Sequence, residues 1–97
     1  MKYFVEYQDE ANDDLILYVD YIERNTFSFE IAEKLAAEIF SETMKLSFFP
    51  YMYPKTYKDF HTFNVNNRKI FYKIYEEDKK VIIFRILSGF QDYNNYL

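Results

Sequence analysis

The chain has 97 residues and a mass of 12.0 kDa, which corresponds to one compact domain over residues 1–97 and excludes a multidomain enzyme. It has no cysteine and one glycine, which excludes disulfides, thiol catalysis and a glycine-rich phosphate loop and fits a reducing cytoplasm. Its net charge of −4 argues against non-specific binding of polyanions by the molecule as a whole. The apolar stretch at the N-terminus is too short for a signal peptide or a membrane span, so we expect a cytoplasmic protein.

The first half of the chain is predicted to form a strand and two helices. Residues 2–8 alternate in polarity, which predicts a strand with one face formed by Tyr3, Val5 and Tyr7. Asp9 is predicted to cap a helix that continues to about Arg24, because apolar residues recur there at spacings of three and four. Ser28 is predicted to cap a second helix that continues toward Leu46 before Phe49-Pro50 stops it.

The second half is predicted to form three strands, at 59–65, 68–76 and 80–88, separated by two turns. Segment 51–57 is interrupted by proline and is predicted to be irregular. The fold class is therefore α+β: a strand, two antiparallel helices and a three-stranded antiparallel meander, with the helices on one face of a four-stranded sheet. The pattern leaves open whether the first strand lies beside the second strand or at the far side.

Charge is divided between these two halves. Residues 1–49 carry eleven acidic and four basic side chains, whereas residues 50–97 carry eight basic and five acidic ones. The helices are thus acidic and the sheet is slightly basic.

Basic side chains on the sheet are the candidates for binding a target, because cations neutralise phosphates and neighbouring aromatic rings stack on bases. These candidates are Arg68, Lys69, Lys73 and Arg85. Strand alternation places Arg68 and Lys69 on opposite faces, so the four cannot form one patch. Arg85 lies in an otherwise apolar strand, where it needs a carboxylate, an anion or a route to solvent. A structural ion pair with a helix acid and a ligand role both remain open.

His61 is the only histidine, and it stands in a predicted strand. It could act as a general acid or base, but a lone histidine in a small domain is more often a packing or surface residue. The acidic run 76–78 precedes two lysines and is interpreted as a solvated turn. We therefore predict no metal ion and no cofactor.

Aromatic residues are concentrated between the second helix and the meander. Five of the ten residues 48–57 are aromatic and follow no clear period, which is more than a short loop can bury. We expect part of this segment to contact a partner protein, and the candidates are Phe48, Phe49, Tyr51 and Tyr53.

Three stretches, in this order, carry a family resemblance. The first is VEYQDEANDDLILYVDYI (5–22), a strand with an Ala-x-x-Asp-Leu helix opening. The second is IAEKLAAEIFSETMKLSFFP (31–50), which ends on Leu-x-x-x-Pro, and the third is RKIFYKIYEEDKKVIIFRIL (68–87), an Arg-x-x-x-Tyr hairpin and the strand after it. Together they resemble the RelE/ParE superfamily of toxins from bacterial type II toxin–antitoxin modules. The segment SGFQDY (88–93) resembles in part the family's terminal His-Gly-Arg-x-Asp signature.

The resemblance implies a growth-inhibiting toxin, of the kind associated with plasmid stabilisation, that a cognate antitoxin binds and neutralises in a hetero-oligomer. RelE-like members cleave mRNA in the ribosome, and ParE-like members poison DNA gyrase. Under the nuclease alternative, the candidate catalytic residues are Lys58, His61, Arg68, Arg85 and Tyr93. Of these, Arg68 and Arg85 match basic positions of the family, and Tyr93 corresponds to the C-terminal tyrosine of the nucleases.

The sequence departs from the nucleases at the end of the last strand. Ser88 stands where the family has a basic residue or histidine, and Phe90 stands where it has arginine. Cleavage of RNA on the ribosome needs several clustered cations, and this chain is acidic. We therefore favour a gyrase-directed toxin over an mRNA endonuclease. A third hypothesis is a degenerate member that binds its antitoxin without being toxic.

Overall fold

The computed structural model describes residues 2–89 and 93–97, in which two helices pack on a five-stranded mixed sheet. The strands are β1 (Phe4–Tyr7), β2 (Lys55–Tyr57), β3 (Phe60–Val65), β4 (Arg68–Tyr75) and β5 (Lys80–Ser88). The helices are α1 (Asp9–Thr26) and α2 (Phe29–Met44), and short 3₁₀ turns occupy Lys45–Ser47 and Tyr93–Asn95. The predicted α+β class and order of elements are confirmed.

The strand order β1-β5-β4-β3-β2 corrects the predicted four strands to five. The additional strand, β2, lies in the segment that we predicted to be irregular. It is three residues long and pairs with β3 through an irregular register, so no alternation of polarity could reveal it. The first strand, β1, lies at the opposite edge and runs parallel to β5.

The helix boundaries differ from the prediction at α1. Gln8, and not Asp9, occupies the N-cap position, and its side chain makes no capping bond. Asp9 lies instead in the first turn, where its charge interacts favourably with the helix dipole. The helix continues to Thr26 and ends at Phe27, which adopts a left-handed conformation with φ 56°. The predicted cap of α2 is confirmed, because the Ser28 hydroxyl accepts a bond from the Ile31 amide at 3.2 Å.

Each face of the sheet carries its own apolar cluster. The face covered by the helices is built around buried residues of both layers: Ala11, Tyr18, Ile39, Leu46, Phe63, Ile70, Tyr72, Val81, Ile83 and Ile86. On the other face, Phe60, Phe71 and Leu87 are covered in part by Tyr93 and Leu97 of the C-terminal segment. The sheet therefore lies between the helix pair and the last residues of the chain. No helix among residues 2–89 and 93–97 is long and apolar enough to cross a bilayer.

Candidate functional site

The basic residues of the sheet are divided between its two faces, as strand alternation predicts. The Arg68 guanidinium stacks against Tyr18 of α1, with 4.3 Å between its central carbon and the ring centroid. The Lys69 ammonium lies 5.6 Å from the centre of the Tyr93 ring, on the face that the C-terminal segment covers. Lys73 lies on that second face as well, 4.7 Å from the Phe60 ring. These cations cannot converge on one phosphate.

Arg85 forms an ion pair with Asp14 of α1, one of the two alternatives that the sequence leaves open. Its Nε and Nη2 groups donate to the two carboxylate oxygens at 2.8 and 2.7 Å. Only 16% of the Arg85 side chain and 8% of the Asp14 side chain are exposed. Asp14 also accepts the Ile86 amide at 2.9 Å. β1 pairs with β5 only as far as Ile83, so β5 has no neighbouring strand on this side beyond that residue. The Asp14 carboxylate accepts there the hydrogen bond that a strand would otherwise accept.

His61 is a packing residue in this geometry. Its side chain is buried, and its ring stacks on Tyr72 with the centroids 5.0 Å apart. Its Nδ1 lies 2.7 Å from the Tyr53 carbonyl oxygen, so that nitrogen carries the hydrogen and donates it. Burial between the sheet and the loop that contains Tyr53 keeps the imidazole away from a large substrate.

Lys58 and Tyr93 both contact the sheet face that the C-terminal segment covers, and Lys58 is remote from Arg68. The Lys58 ammonium donates to the Leu97 carbonyl at 3.2 Å, and the Tyr93 ring packs 5.1 Å from Phe71. Lys58 lies in the turn before β3, whereas Arg68 follows the far end of that six-residue strand, about 16 Å away at the usual rise per residue. The five nuclease candidates are thus distributed over two faces and a buried position. Phe90 lies outside the described residues.

A cleft of about 1040 Å³ lies beside Arg68. Its wall combines apolar and amide side chains with the ends of β4 and β5: Tyr18, Tyr21, Ile22, Leu35, Asn64, Asn66, Asn67, Arg68, Lys69, Ser88 and Gly89. Sequence reasoning identified Arg68 but missed Tyr18 and Tyr21. Their three-residue spacing on α1 places them on neighbouring positions of one helix face, but nothing in the sequence says that this face meets Arg68.

An exposed aromatic patch lies between α2 and β2, formed by Phe48, Phe49, Tyr51 and Met52. Phe48 and Phe49 are each 63% exposed and Tyr51 is 60% exposed. Together with Pro50 these residues line an apolar groove of about 360 Å³. Tyr53, the fourth aromatic candidate, differs from them.

Tyr53 is half-buried and stacks on Phe63, with the ring centroids 4.4 Å apart. Met52 is exposed and belongs to the groove, although we did not single it out in the sequence. The exposed patch therefore has three of the four predicted aromatic residues.

Glu76 joins this patch to the sheet edge. Its carboxylate accepts hydrogen bonds from the hydroxyls of Tyr51 and Tyr3, the latter at 2.7 Å, and from the Lys79 ammonium at 3.0 Å. Hydrogen bonds from Tyr51, Tyr3 and Lys79, in that order of effect, lower the pKa of Glu76 to about 2. One carboxylate thus connects Tyr3, the residue before β1, with the aromatic patch and the turn between β4 and β5.

Replacing Glu76 with glutamine is expected to change the acid dependence of stability. Because the pKa is depressed in the folded protein, the stabilisation is fully present above pH 4.5 and is lost as the pH falls toward 2. The thermal unfolding midpoint of E76Q at pH 7 should be lower than that of the unmodified chain. Between pH 4.5 and 2, the midpoint of E76Q should also change less than that of the unmodified chain. Glu77→Gln, in the same turn, is the control. Equal pH profiles for E76Q and E77Q would contradict the assignment.

The family model for the ParE toxin of the type II toxin–antitoxin system parDE matches residues 5–93 of the chain. No match was found among curated proteins. A solved structure from a chromosomal ParDE toxin–antitoxin system of P. aeruginosa is similar, with TM-score 0.77, 16% identity, and coverage of 90% of this chain and 96% of that one.

Two further solved structures are similar in fold. One is the toxin–antitoxin complex RelBE2 from Mycobacterium tuberculosis, with TM-score 0.68, 17% identity, and coverage of 94% of this chain and 95% of that one. The other is a free mutant of the E. coli toxin RelE, with TM-score 0.68, 10% identity, and coverage of 99% and 95%. At these identities the likeness establishes the fold, which ParE-type and RelE-type chains share.

Proposed function

Because the chain belongs to the ParE family of toxins from type II toxin–antitoxin systems, we propose that it acts in the cytoplasm on a protein target, DNA gyrase, and that a cognate antitoxin neutralises it. The fold is shared by ParE-type and RelE-type chains, so the choice between gyrase and the ribosome as the target rests on the chemistry of the site.

The separation of the basic residues supports a protein target over an RNA target. Cleavage of RNA requires cations that surround one phosphate and a group that moves a proton. In this fold, Asp14 neutralises Arg85, and His61 is packed under the loop that contains Tyr53. Arg68 lies on the helix side of the sheet, whereas Lys73 lies on the other. A protein surface, which presents its charges singly, suits this arrangement better than an RNA backbone.

The antitoxin is proposed to cover the aromatic patch. Exposed aromatic side chains around an apolar groove are the features that dominate binding energy in protein interfaces, and an amphipathic helix or an added strand is the usual way to cover them. The similar structures include RelBE2, a toxin–antitoxin complex, and this is consistent with a hetero-oligomer here. Tyr51 is held by Glu76, so part of the patch is ordered before a partner arrives.

Two assays on the purified chain test the proposed target. Supercoiling of relaxed plasmid by purified gyrase should decrease as the chain is added. Primer extension on a reporter mRNA, translated in the presence of the chain, should show the same ends as the untreated control.

Cuts at codon-periodic positions in the reporter would contradict the proposal and support the nuclease alternative. Unaffected supercoiling together with intact mRNA, for a chain that still binds its antitoxin, would support a member that has lost its toxicity.

A further inference from the structure

Among the three arginines of the chain, Arg68 differs in having no carboxylate partner among the described residues. Arg85 pairs with Asp14 at 2.7 Å, and Arg24 pairs with Asp20 at 3.0 Å. A guanidinium presents five N–H donors in a planar fork that matches the two oxygens of a carboxylate or phosphate. The fork of Arg68 is therefore available to an anionic ligand.

The Arg68 guanidinium is held in place by aromatic rings. Tyr18 is 5% exposed, and its hydroxyl donates to the Asn66 carbonyl at 3.3 Å, so its ring cannot turn away. The guanidinium carbon lies 4.3 Å from the Tyr18 centroid and 5.9 Å from that of Tyr21. Stacking on a ring face orders an arginine while leaving the N–H groups at its edge free to bind. The charge is thus oriented before a ligand arrives.

The cleft beside Arg68 offers two kinds of wall. Ile22 and Leu35 are apolar, whereas the amide side chains of Asn64 and Asn67 are polar. At about 1040 Å³ the cleft has room for several residues of a peptide. A ligand that combines one anionic group with an adjacent apolar group would contact every part of this wall.

The surrounding charges favour a single carboxylate over a polyanion. Glu38 of α2 lies at the rim of the cleft, where its carboxylate accepts a hydrogen bond from the side-chain amide of Asn66 at 3.0 Å. The first 49 residues, which contain both helices, carry a balance of −7. A chain of phosphates along this cleft would be repelled by α1 and α2, whereas an isolated carboxylate needs only the Arg68 fork.

We propose that the Arg68 cleft binds a single aspartate or glutamate side chain, flanked by an apolar residue, in a peptide segment of the toxin's protein target. This inference rests on the proposed function, because it identifies the chemistry by which the toxin recognises that target. The fork binds the carboxylate, and the wall formed by Ile22 and Leu35 takes the apolar neighbour.

An NMR titration of the ¹⁵N-labelled full chain tests the proposal. The probe is the peptide acetyl-Leu-Glu-Leu-amide, its matched control is the glutamine peptide, and the dinucleotide UpA represents nucleic acid. The glutamate peptide should shift the Arg68 side-chain N–H resonance and bind about 10-fold more tightly than the glutamine peptide, as expected for a charge-assisted hydrogen bond. Equal affinities for the two peptides, tighter binding of UpA, or no shift at about 10 mM peptide would each overturn the proposal.

Variants separate recognition from folding. Arg68→Gln should lose about 10-fold in affinity for the glutamate peptide, and Arg68→Lys, which keeps the charge but not the fork, should lose several-fold. Arg24→Gln is the matched control on an exposed helix face and should bind as the unmodified chain does. If R68K bound as tightly as the unmodified chain, the role of the fork would be refuted.

The two proposals can fail separately. If the unmodified chain and R68Q inhibit gyrase equally, the cleft is not the target contact, and the gyrase proposal stands. If the glutamate peptide binds as expected but neither the unmodified chain nor any variant inhibits gyrase, the proposed ligand of the cleft is supported and the proposed target is wrong.

Discussion

Asp14→Ala is expected to destabilise the fold by about 3 kcal/mol, because it leaves the Arg85 guanidinium without its carboxylate in a mostly buried position. Removing one partner of a buried pair costs far more than removing a surface charge, since the remaining ion loses its partner without regaining its water. The Ile86 amide loses its acceptor in the same variant. Urea unfolding followed by circular dichroism measures the change.

The neighbouring residue provides the control for this prediction. Asp13 is exposed on the same helix, so Asp13→Ala should alter the free energy of unfolding by less than about 0.5 kcal/mol. The double variant Asp14→Ala/Arg85→Ala should be less destabilised than the sum of its single variants, because the two residues interact directly. Equal effects of D13A and D14A, or full additivity of the pair, would contradict the structural role.

The same pair separates structure from target binding. If Arg85 contributes only to the fold, an Arg85 variant that is still folded at the assay temperature should inhibit growth as strongly as the unmodified chain. Loss of toxicity in a folded Arg85 variant would instead assign the guanidinium to the target-binding surface.

Replacing Phe48 and Phe49 together with alanine is expected to weaken antitoxin binding by about 100-fold or more. Each side chain is 63% exposed in the free chain, and a buried aromatic residue at the centre of an interface often contributes about 2 kcal/mol. Since both rings are mostly in solvent, the double variant should keep the stability of the free chain nearly unchanged. Biolayer interferometry with the antitoxin measures the affinity.

Phe29→Ala is the matched control for the aromatic patch. Phe29 is 59% exposed in the first turn of α2, outside the groove that Phe48 and Phe49 line. Phe29→Ala should weaken the affinity for the antitoxin by less than about 10-fold. If F29A weakened binding as much as the double variant, or the double variant bound normally, the antitoxin would have to cover a surface other than the aromatic patch.

The sequence predicts the local features of this fold and misses those that depend on distant contacts. Helical spacing, strand alternation and the Ser28 cap are short-range patterns, and all three are confirmed. The Asn66-Asn67 turn follows the same rule, because asparagine tolerates the positive φ angles of 51° and 63° observed there. The strand β2 was missed because three residues show no period and its pairing depends on β3.

The site was predictable only in part for the same reason. Alternation alone showed that Arg68 and Lys69 could not share a face. The partner of Arg85 is 71 positions away, and nothing in the sequence distinguishes Asp14 from the other ten acidic residues of the first 49 positions. Glu76 was interpreted as part of a solvated turn, although hydroxyls from two distant segments meet on its carboxylate. Such long-range pairs are set by the packing of α1 and β1 on the sheet.

The most direct test of the central claim, that the chain is a gyrase-directed toxin neutralised by an antitoxin, is the supercoiling of relaxed plasmid by purified gyrase. We predict that the chain alone inhibits supercoiling in a dose-dependent manner and that equimolar antitoxin restores it. Undiminished supercoiling at a large molar excess of correctly folded chain would contradict the claim.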